Sequence, residues 1–192
     1  MTPLRLSRAF FEAHYRTHRD PWGFEHEPYE RARHAAILDE LGSRHFERAF
    51  EPGCAEGVLT EALADRCGEL IATDISATAV GRARKRCRDK ANVYLRSAAL
   101  PDELPRGPFD LVVLAECGYY FEEDVLRELA ERLQARLNPG ATVLACHWRG
   151  RSPDHELHGD RVHTILDELP RWRRESEVAA SGFRLTRWSI GS

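Results

Sequence analysis

Two carboxylates and two glycines carry the first chemical signal in this chain. An apolar run ending in Ala49-Phe50-Glu51 turns through Pro52-Gly53-Cys54-Ala55-Glu56-Gly57 into the helical pattern Val58 to Leu63. A strand that turns on glycine into a helix gathers free backbone N–H groups and the positive end of a helix dipole in one small space, which suits a polar ligand. A second apolar run, Leu70-Ile71-Ala72-Thr73, ends in Asp74. From that position a carboxylate reaches the two hydroxyls of an adenosine ribose. The stretch reads as a nucleoside-cofactor site.

The spacing then discriminates between cofactors. A dinucleotide turn needs G-x-G-x-x-G so that backbone can approach a pyrophosphate and the helix can pack on its strand. Here the glycines stand as Gly53-x-x-x-Gly57. Glu51 can hold a cationic amino group, directly or through water, and Asp74 can hold a ribose. S-adenosyl-L-methionine carries an ammonium, a carboxylate, a sulfonium and a ribose, so it suits this pair better than NAD. Near the N-terminus, Tyr29 and Arg33 are four apart on a helical pattern and share a face, and Arg33 can pair bidentately with the cofactor's carboxylate. Trp22, in the breaker Asp20-Pro21-Trp22-Gly23-Phe24, can close over the bound molecule.

Elements that position these residues follow from periodicity. Ser7 to Thr17 reads as an amphipathic helix, and Tyr29 to Leu41 as another with Ala32, Ala36, Ile37 and Leu41 inward, Arg31 and Arg33 off that stripe, and Gly42 as its end. After Asp74 comes a helix from Ala77 to Cys87 capped by Ser76, then a third strand at Val93 to Arg96 and a fourth at Phe109 to Ala115. The near-continuous apolar fourth strand implies burial on both faces, as in a parallel sheet. Glu123 to Leu137 is periodic helix, which Asn138-Pro139-Gly140 stops before a fifth strand at Ala141 to Cys146. A histidine-rich loop, His147 to Asp160, leads to a helix near Arg161 to Leu169, and strands at Arg173 to Ala179 and Arg184 to Ile190 flank a Ser181-Gly182 turn. The alternation gives an α/β, doubly wound, Rossmann-like and mostly parallel sheet, with helices on both faces and a C-terminal antiparallel hairpin.

At 192 residues with 42% hydrophobic content, the chain suits one domain. It divides into an N-terminal helical cofactor-covering segment (1–44), a cofactor-binding core (45–147), and a substrate loop with the hairpin (148–192). A formal charge of −3 argues against a nucleic-acid partner. Arg82 to Lys90 is the only basic run, and it sits on a helix. Five cysteines without a C-x-x-C pair read as reduced and buried. No secretory signal and no run of about 18 apolar residues is evident, so no membrane partner and a cytoplasmic location are expected.

Across nearly its whole length the chain resembles the class I S-adenosylmethionine-dependent methyltransferases, on Glu51-Pro-Gly-Cys-Ala-Glu-Gly57, Ala72-Thr-Asp-Ile-Ser76, Phe109-Asp-Leu-Val-Val-Leu-Ala-Glu116 and Leu137-Asn-Pro-Gly-Ala-Thr-Val143. Within that class it is most similar to the nodulation N-methyltransferase (NodS-like) group, because Asp20-Pro21-Trp22 precedes Tyr29-Glu30-x-x-Arg33 and Glu116-Cys-Gly-Tyr-Tyr120 follows the fourth strand. The resemblance implies a seven-stranded sheet with a reversed last strand. It also implies cofactor contacts at Trp22, Tyr29, Arg33, Glu51, Gly53, Cys54, Gly57, Asp74, Ile75 and Glu116. Family members place an acid after strand three against the adenine amine, and this chain has Ala99 there. Adenine is therefore expected against Ala98, Ala99 and Leu100 by backbone groups and packing.

Methyl transfer is an in-line displacement, so the protein must align the acceptor, exclude water, and take a proton when the acceptor bears one. The ligand crevice of an open α/β sheet lies beyond the carboxyl ends of its strands, which places Glu116, Tyr119 and Tyr120 after strand four and His147 after strand five. Glu116 or Tyr119 is expected to orient an acceptor nitrogen and His147 to accept its proton. Tyr120, His158 and His163 are expected to contact the substrate. The spacing of His155, His158 and His163 matches no metal motif, so no metal is expected. The favoured reading is transfer to a nitrogen or oxygen of a small polar molecule, such as an amino sugar or natural-product intermediate. An RNA methyltransferase and a non-catalytic cofactor-binding regulatory protein are the alternatives.

Overall fold

Three helix starts and one helix end have a local cause. In the computed structural model, which describes residues 7–180 and 182–191, the Ser7 hydroxyl accepts from Phe10 N and caps α1 (Arg8–Thr17). Helix α2 (Pro28–Leu41) starts on proline, where a missing N–H costs nothing, and ends at Gly42 with a φ of 62°. Ser76 caps α4 (Ala77–Arg86) by accepting from Ala79 N, as its sequence position predicts.

Strands β1 (Phe46–Pro52), β2 (Cys67–Asp74), β3 (Val93–Ser97), β4 (Phe109–Ala115) and β5 (Leu137–Trp148) pair in parallel. Strand β7 (Phe183–Ile190) is antiparallel to β5 and to the edge strand β6 (Trp172–Ala179). The seven-stranded order is β3-β2-β1-β4-β5-β7-β6, and the order reverses direction between β1 and β4. That switch point is where a parallel sheet opens a crevice. Helices α5 (Glu123–Gln134) and α6 (Gly159–Asp167) cover one face around Phe50, Val112, Leu129 and Trp188. Helix α2 and α3 (Val58–Ala64) cover the other around Phe46, Leu63, Leu111 and Leu144. The expected doubly wound sheet with its reversed hairpin is the observed one.

Four expectations change. Helix α5 stops at Gln134, and Asn138-Pro139-Gly140 lies inside β5, because Leu137 already pairs with Phe109 and the ladder shifts register beside it. Strand β5 continues through Trp148 because β7 pairs with it residue by residue from Thr142 to Trp148. Helix α2 buries Glu30, Arg33, Ile37 and Leu41, while Ala32 is exposed, so Arg33 belongs to the inward face. Helix α6 begins at Gly159 behind a His158 cap. The Ser181 half of the predicted turn lies outside the described residues. All five cysteines are free thiols, and among the described residues no helix is long and apolar enough to cross a membrane.

Candidate functional site

The turn after β1 is shaped by its glycines. Gly53 and Gly57 hold φ values of 72° and 81°, a region that side chains disfavour. At Gly53 a Cβ would also stand 2.7 Å from Cys117 Cβ. This turn, the ends of β2 and β4 and the N-terminal segment enclose a cavity of about 510 Å³.

Three buried ionisable side chains face it. Glu51 is 3% exposed, and its Oε2 has no hydrogen-bond partner; burial pushes its carboxyl up to about 8 against the pull of Arg33. Arg33 is 1% exposed. Its Nε donates to Glu30 Oε2 at 3.0 Å and its Nη2 bonds the same oxygen, while Nε stands 3.9 Å from Glu116 Oε1. Its Nη1 is buried and unpartnered. Burial opposes its charge, but Glu116 and Glu30 more than offset that and raise its pKa. Asp74 accepts from Ala55 N at 3.0 Å and Ser76 N at 2.8 Å. Burial lifts its carboxyl to about 6 in spite of those bonds, and each oxygen keeps a lone pair for a further donor.

The N-terminal segment roofs the cavity. Phe11, Tyr15, Trp22 and Phe24 line it, with Trp22 packed edge-on to Tyr15 at 5.2 Å. Polar straps hold this roof: Glu12 accepts from Ser76 Oγ at 2.7 Å and Thr78 Oγ1 at 2.5 Å, and Arg8 donates to Ile75 O at 2.9 Å. Tyr29 reaches the same cavity while its hydroxyl donates to Gly182 O at 3.1 Å. Cys54, Ile75, Ala98, Ala99 and Leu100 line the wall beyond Asp74. Ala99 N donates to Glu103 Oε2 at 2.6 Å, so an acid approaches from a position that sequence reading passed over. Gly57 shapes the turn from outside the lining.

At the end of β4, Glu116 sits at a φ of 53°. Its Oε2 accepts the Tyr119 hydroxyl at 2.6 Å and its Oε1 accepts Trp148 N at 2.7 Å. Burial raises its pKa against Arg33. Tyr119 stacks on His155 at 3.8 Å, and Tyr120 meets Phe11 edge-on at 5.1 Å. His155 and Asp154 line the cavity; the His155 Nδ1 is buried without a partner, and burial lowers its pKa. The sequence signal for His155 is its loop beyond the carboxyl end of β5.

Three predicted histidines lie elsewhere. His147 is completely buried within β5 and does not line the cavity; its Nε2 accepts from Gly118 N at 3.0 Å and its Nδ1 stands 3.2 Å from His163 Nε2. Sealed from the cavity, it cannot take a proton from a molecule bound there. His163 is equally buried, against Thr186. His158 caps α6 and bonds Arg149 O at 2.8 Å. Neither touches the cavity, so neither can contact a substrate there. Among the described residues no group of three or more His, Cys, Asp or Glu is arranged to hold a metal.

Known proteins resemble this arrangement. The family model for nodulation protein S (NodS) matches residues 11–149. Nodulation protein S of Rhizobium tropici is 34% identical over 78% of this chain, which spans 65% of that protein's length. Its counterpart from Sinorhizobium fredii is 32% identical over 78% of this chain and 71% of its own. The crystal structure of N-methyltransferase NodS from Bradyrhizobium japonicum in complex with S-adenosyl-L-homocysteine is similar at a TM-score of 0.84, with 26% identity, over 95% of this chain and 98% of that one.

Proposed function

The chain belongs to the nodulation protein S family of S-adenosylmethionine-dependent methyltransferases, and from that premise we propose that it methylates a nitrogen of a small polar molecule, such as an amino sugar or natural-product intermediate. One observation carries the cofactor half of this reading. Arg33 Nη1 and Glu51 Oε2 are buried, unpartnered and on the walls of one cavity. A buried polar atom without a partner costs roughly 1–3 kcal/mol, and a zwitterionic amino acid end satisfies both atoms at once. Asp74 then holds the ribose hydroxyls, Trp22 and Tyr29 close the site, and Ala98 to Leu100 pack against the adenine.

When bound, the cofactor supplies a methyl group on a sulfonium. The protein's part is to hold the acceptor in line and to favour the positive charge that moves onto it. Tyr119, fixed by Glu116, and the aromatic faces of Tyr120, Phe11 and Trp148 suit a nitrogen that becomes cationic. Transfer to oxygen needs a base strong enough to take a hydroxyl proton as the methyl moves, and burial weakens His155 in that role. Two imidazoles line the cavity; His34 lies against Arg33, and His155, stacked on Tyr119, is the one placed to take a nitrogen's proton once transfer is complete, since burial keeps it neutral. A polyanionic acceptor finds less support, because Arg82 bonds Tyr15 O and Glu56, Arg86 pairs with Glu25, and Lys90 pairs with Asp65.

Calorimetric titration with S-adenosylhomocysteine and NAD in parallel, followed by label transfer from S-adenosylmethionine to glucosamine and to glucose, tests both halves. We expect binding of the first ligand only, and label on glucosamine only. NAD binding would overturn the cofactor assignment, equal labelling of glucose would overturn the nitrogen assignment, and binding without transfer to any amine would point to a regulatory protein.

A further inference from the structure

We propose that His147 and His163 are positioning residues: together with Thr186 they form a buried hydrogen-bond chain that ends on the Gly118 N–H and fixes the turn carrying Glu116, Tyr119 and Tyr120. This rests on the reading that the turn faces the methyl acceptor. A backbone N–H only donates, so the His147 Nε2 that lies 3.0 Å from Gly118 N carries the lone pair. The neutral ring then bears its proton on Nδ1, which faces His163 Nε2 at 3.2 Å and makes that nitrogen the acceptor. His163 in turn bears its proton on Nδ1 and donates it to Thr186 Oγ1 at 2.7 Å. One fixed end therefore sets the direction of the whole chain, and all three side chains have no exposure to solvent.

The contact is built for close approach. A Cβ on Gly118 would lie 2.8 Å from His147 Nε2 and 2.7 Å from Val162 Cγ1, so only glycine lets the turn sit on the ring. The far side of the turn is held as well: Glu116 Oε1 accepts Trp148 N, and Tyr119 O accepts Glu156 N and Leu157 N at 2.9 and 3.1 Å. The backbone strain at Glu116, with its φ of 53°, persists because both sides are clamped. Burial pushes His147 well below the ordinary imidazole range and His163 to about 3, which keeps the rings in the neutral forms that this direction requires.

His147→Gln and His147→Leu separate positioning from general damage. A glutamine amide oxygen can accept the Gly118 N–H in place of Nε2, and leucine cannot. For methyl transfer to glucosamine we expect His147→Leu to lower kcat by up to about a hundredfold, since a misplacement of about 1 Å has that cost. The affinity for S-adenosylhomocysteine should stay within about twofold. His147→Gln should recover most of the loss. An unchanged kcat in His147→Leu, or equal loss of kcat and S-adenosylhomocysteine affinity in both variants, would overturn the proposal. Nitrogen-15 spectra of the wild-type histidine rings supply a readout that needs neither a folded variant nor an acceptor. They should show two neutral rings protonated at Nδ1, and protonation of either ring at Nε2 would overturn the chain. A wild type that fails to bind S-adenosylhomocysteine would sink the cofactor reading while these spectra still decide the chain.

Discussion

Replacing Glu51 by glutamine separates the cost of this carboxylate from its use. Moving a carboxyl from 4.5 to about 8 corresponds to about 5 kcal/mol of folding free energy, at about 1.4 kcal/mol per pH unit. Glu51 is almost fully buried, so solvent screening does not reduce that figure much. The folded protein holds this proton more tightly than the unfolded chain does. Its contribution is therefore complete below pH 4.5, falls as pH rises, and is gone once the pH has passed about 8. Glutamine imitates the protonated acid at every pH. Glu51→Gln should match the wild type near pH 5 and exceed it near pH 8.5 by up to about 5 kcal/mol, a rise of roughly 10–20 °C in Tm for a chain of this size.

Cofactor binding should move the other way. The variant loses a charge-assisted bond worth about 1.5–3 kcal/mol, or about 10- to 100-fold in S-adenosylhomocysteine affinity. In the wild type at pH 7, Glu51 must release its proton to meet an ammonium, so about 0.9 proton leaves on binding. Calorimetry in phosphate and in Tris should report different apparent enthalpies for the wild type and equal ones for the variant. A stability gap that stays constant from pH 5 to 8.5, or a wild-type enthalpy indifferent to the buffer, would refute the assignment of both the buried acid and its ligand.

Arg33→Lys keeps a positive charge for Glu30 and Glu116 but loses the free arm of the fork; it should weaken S-adenosylhomocysteine binding by about tenfold or more with little change in Tm. Arg33→Leu strips the compensating charge from those buried acids and should cost about 3–5 kcal/mol in urea denaturation. An equal loss of stability in both variants would show that the guanidinium geometry serves the fold. Gly53→Ala combines a left-handed φ of 72° with a 2.7 Å approach to Cys117 Cβ. Denaturation should register a loss of about 1–3 kcal/mol, and a variant as stable as the wild type would mean that the turn is not held in that conformation.

The legible parts of the site were those that depend on neighbours in sequence. Glu51, the two glycines and Asp74 each sit at a strand end or turn whose character a short window of residues determines, and all lie where the pattern places them. The shared face of Tyr29 and Arg33 was legible for the same reason, but its inward direction was not. Of the expected inward stripe Ala32, Ala36, Ile37 and Leu41, Ile37 and Leu41 are buried, but Ala32 is exposed and Arg33 turns inward with them where α2 docks beside β5 and β7. The histidines failed for a related cause. Whether His147 ends a strand or lies inside it depends on β7, whose Arg184 pairs with it from the far end of the chain. Once β7 extends the ladder, His147 is sealed, and His155 in the following loop reaches the cavity instead.

Ser76 shows how one residue can be read correctly and still be understood only in part. Its hydroxyl accepts Ala79 N, as an N-cap should. The same hydroxyl donates to Glu12, and its backbone N–H donates to Asp74 at 2.8 Å. Of the residues in α1 only Tyr15 is fully buried, so the roof is held to the body largely by polar bonds of this kind, including Arg8 to Ile75 O. Those bonds hold the Glu12 carboxyl at about 2, which keeps it charged and bound through the range in which Asp74 titrates. The roof over the cavity and the Asp74 carboxylate on its wall are thus fastened to the same short segment, Asp74 to Thr78. Two hydrogen bonds join them, and the link is complete only because Glu12 of the N-terminal segment meets the end of β2, 64 residues away in sequence at Ser76.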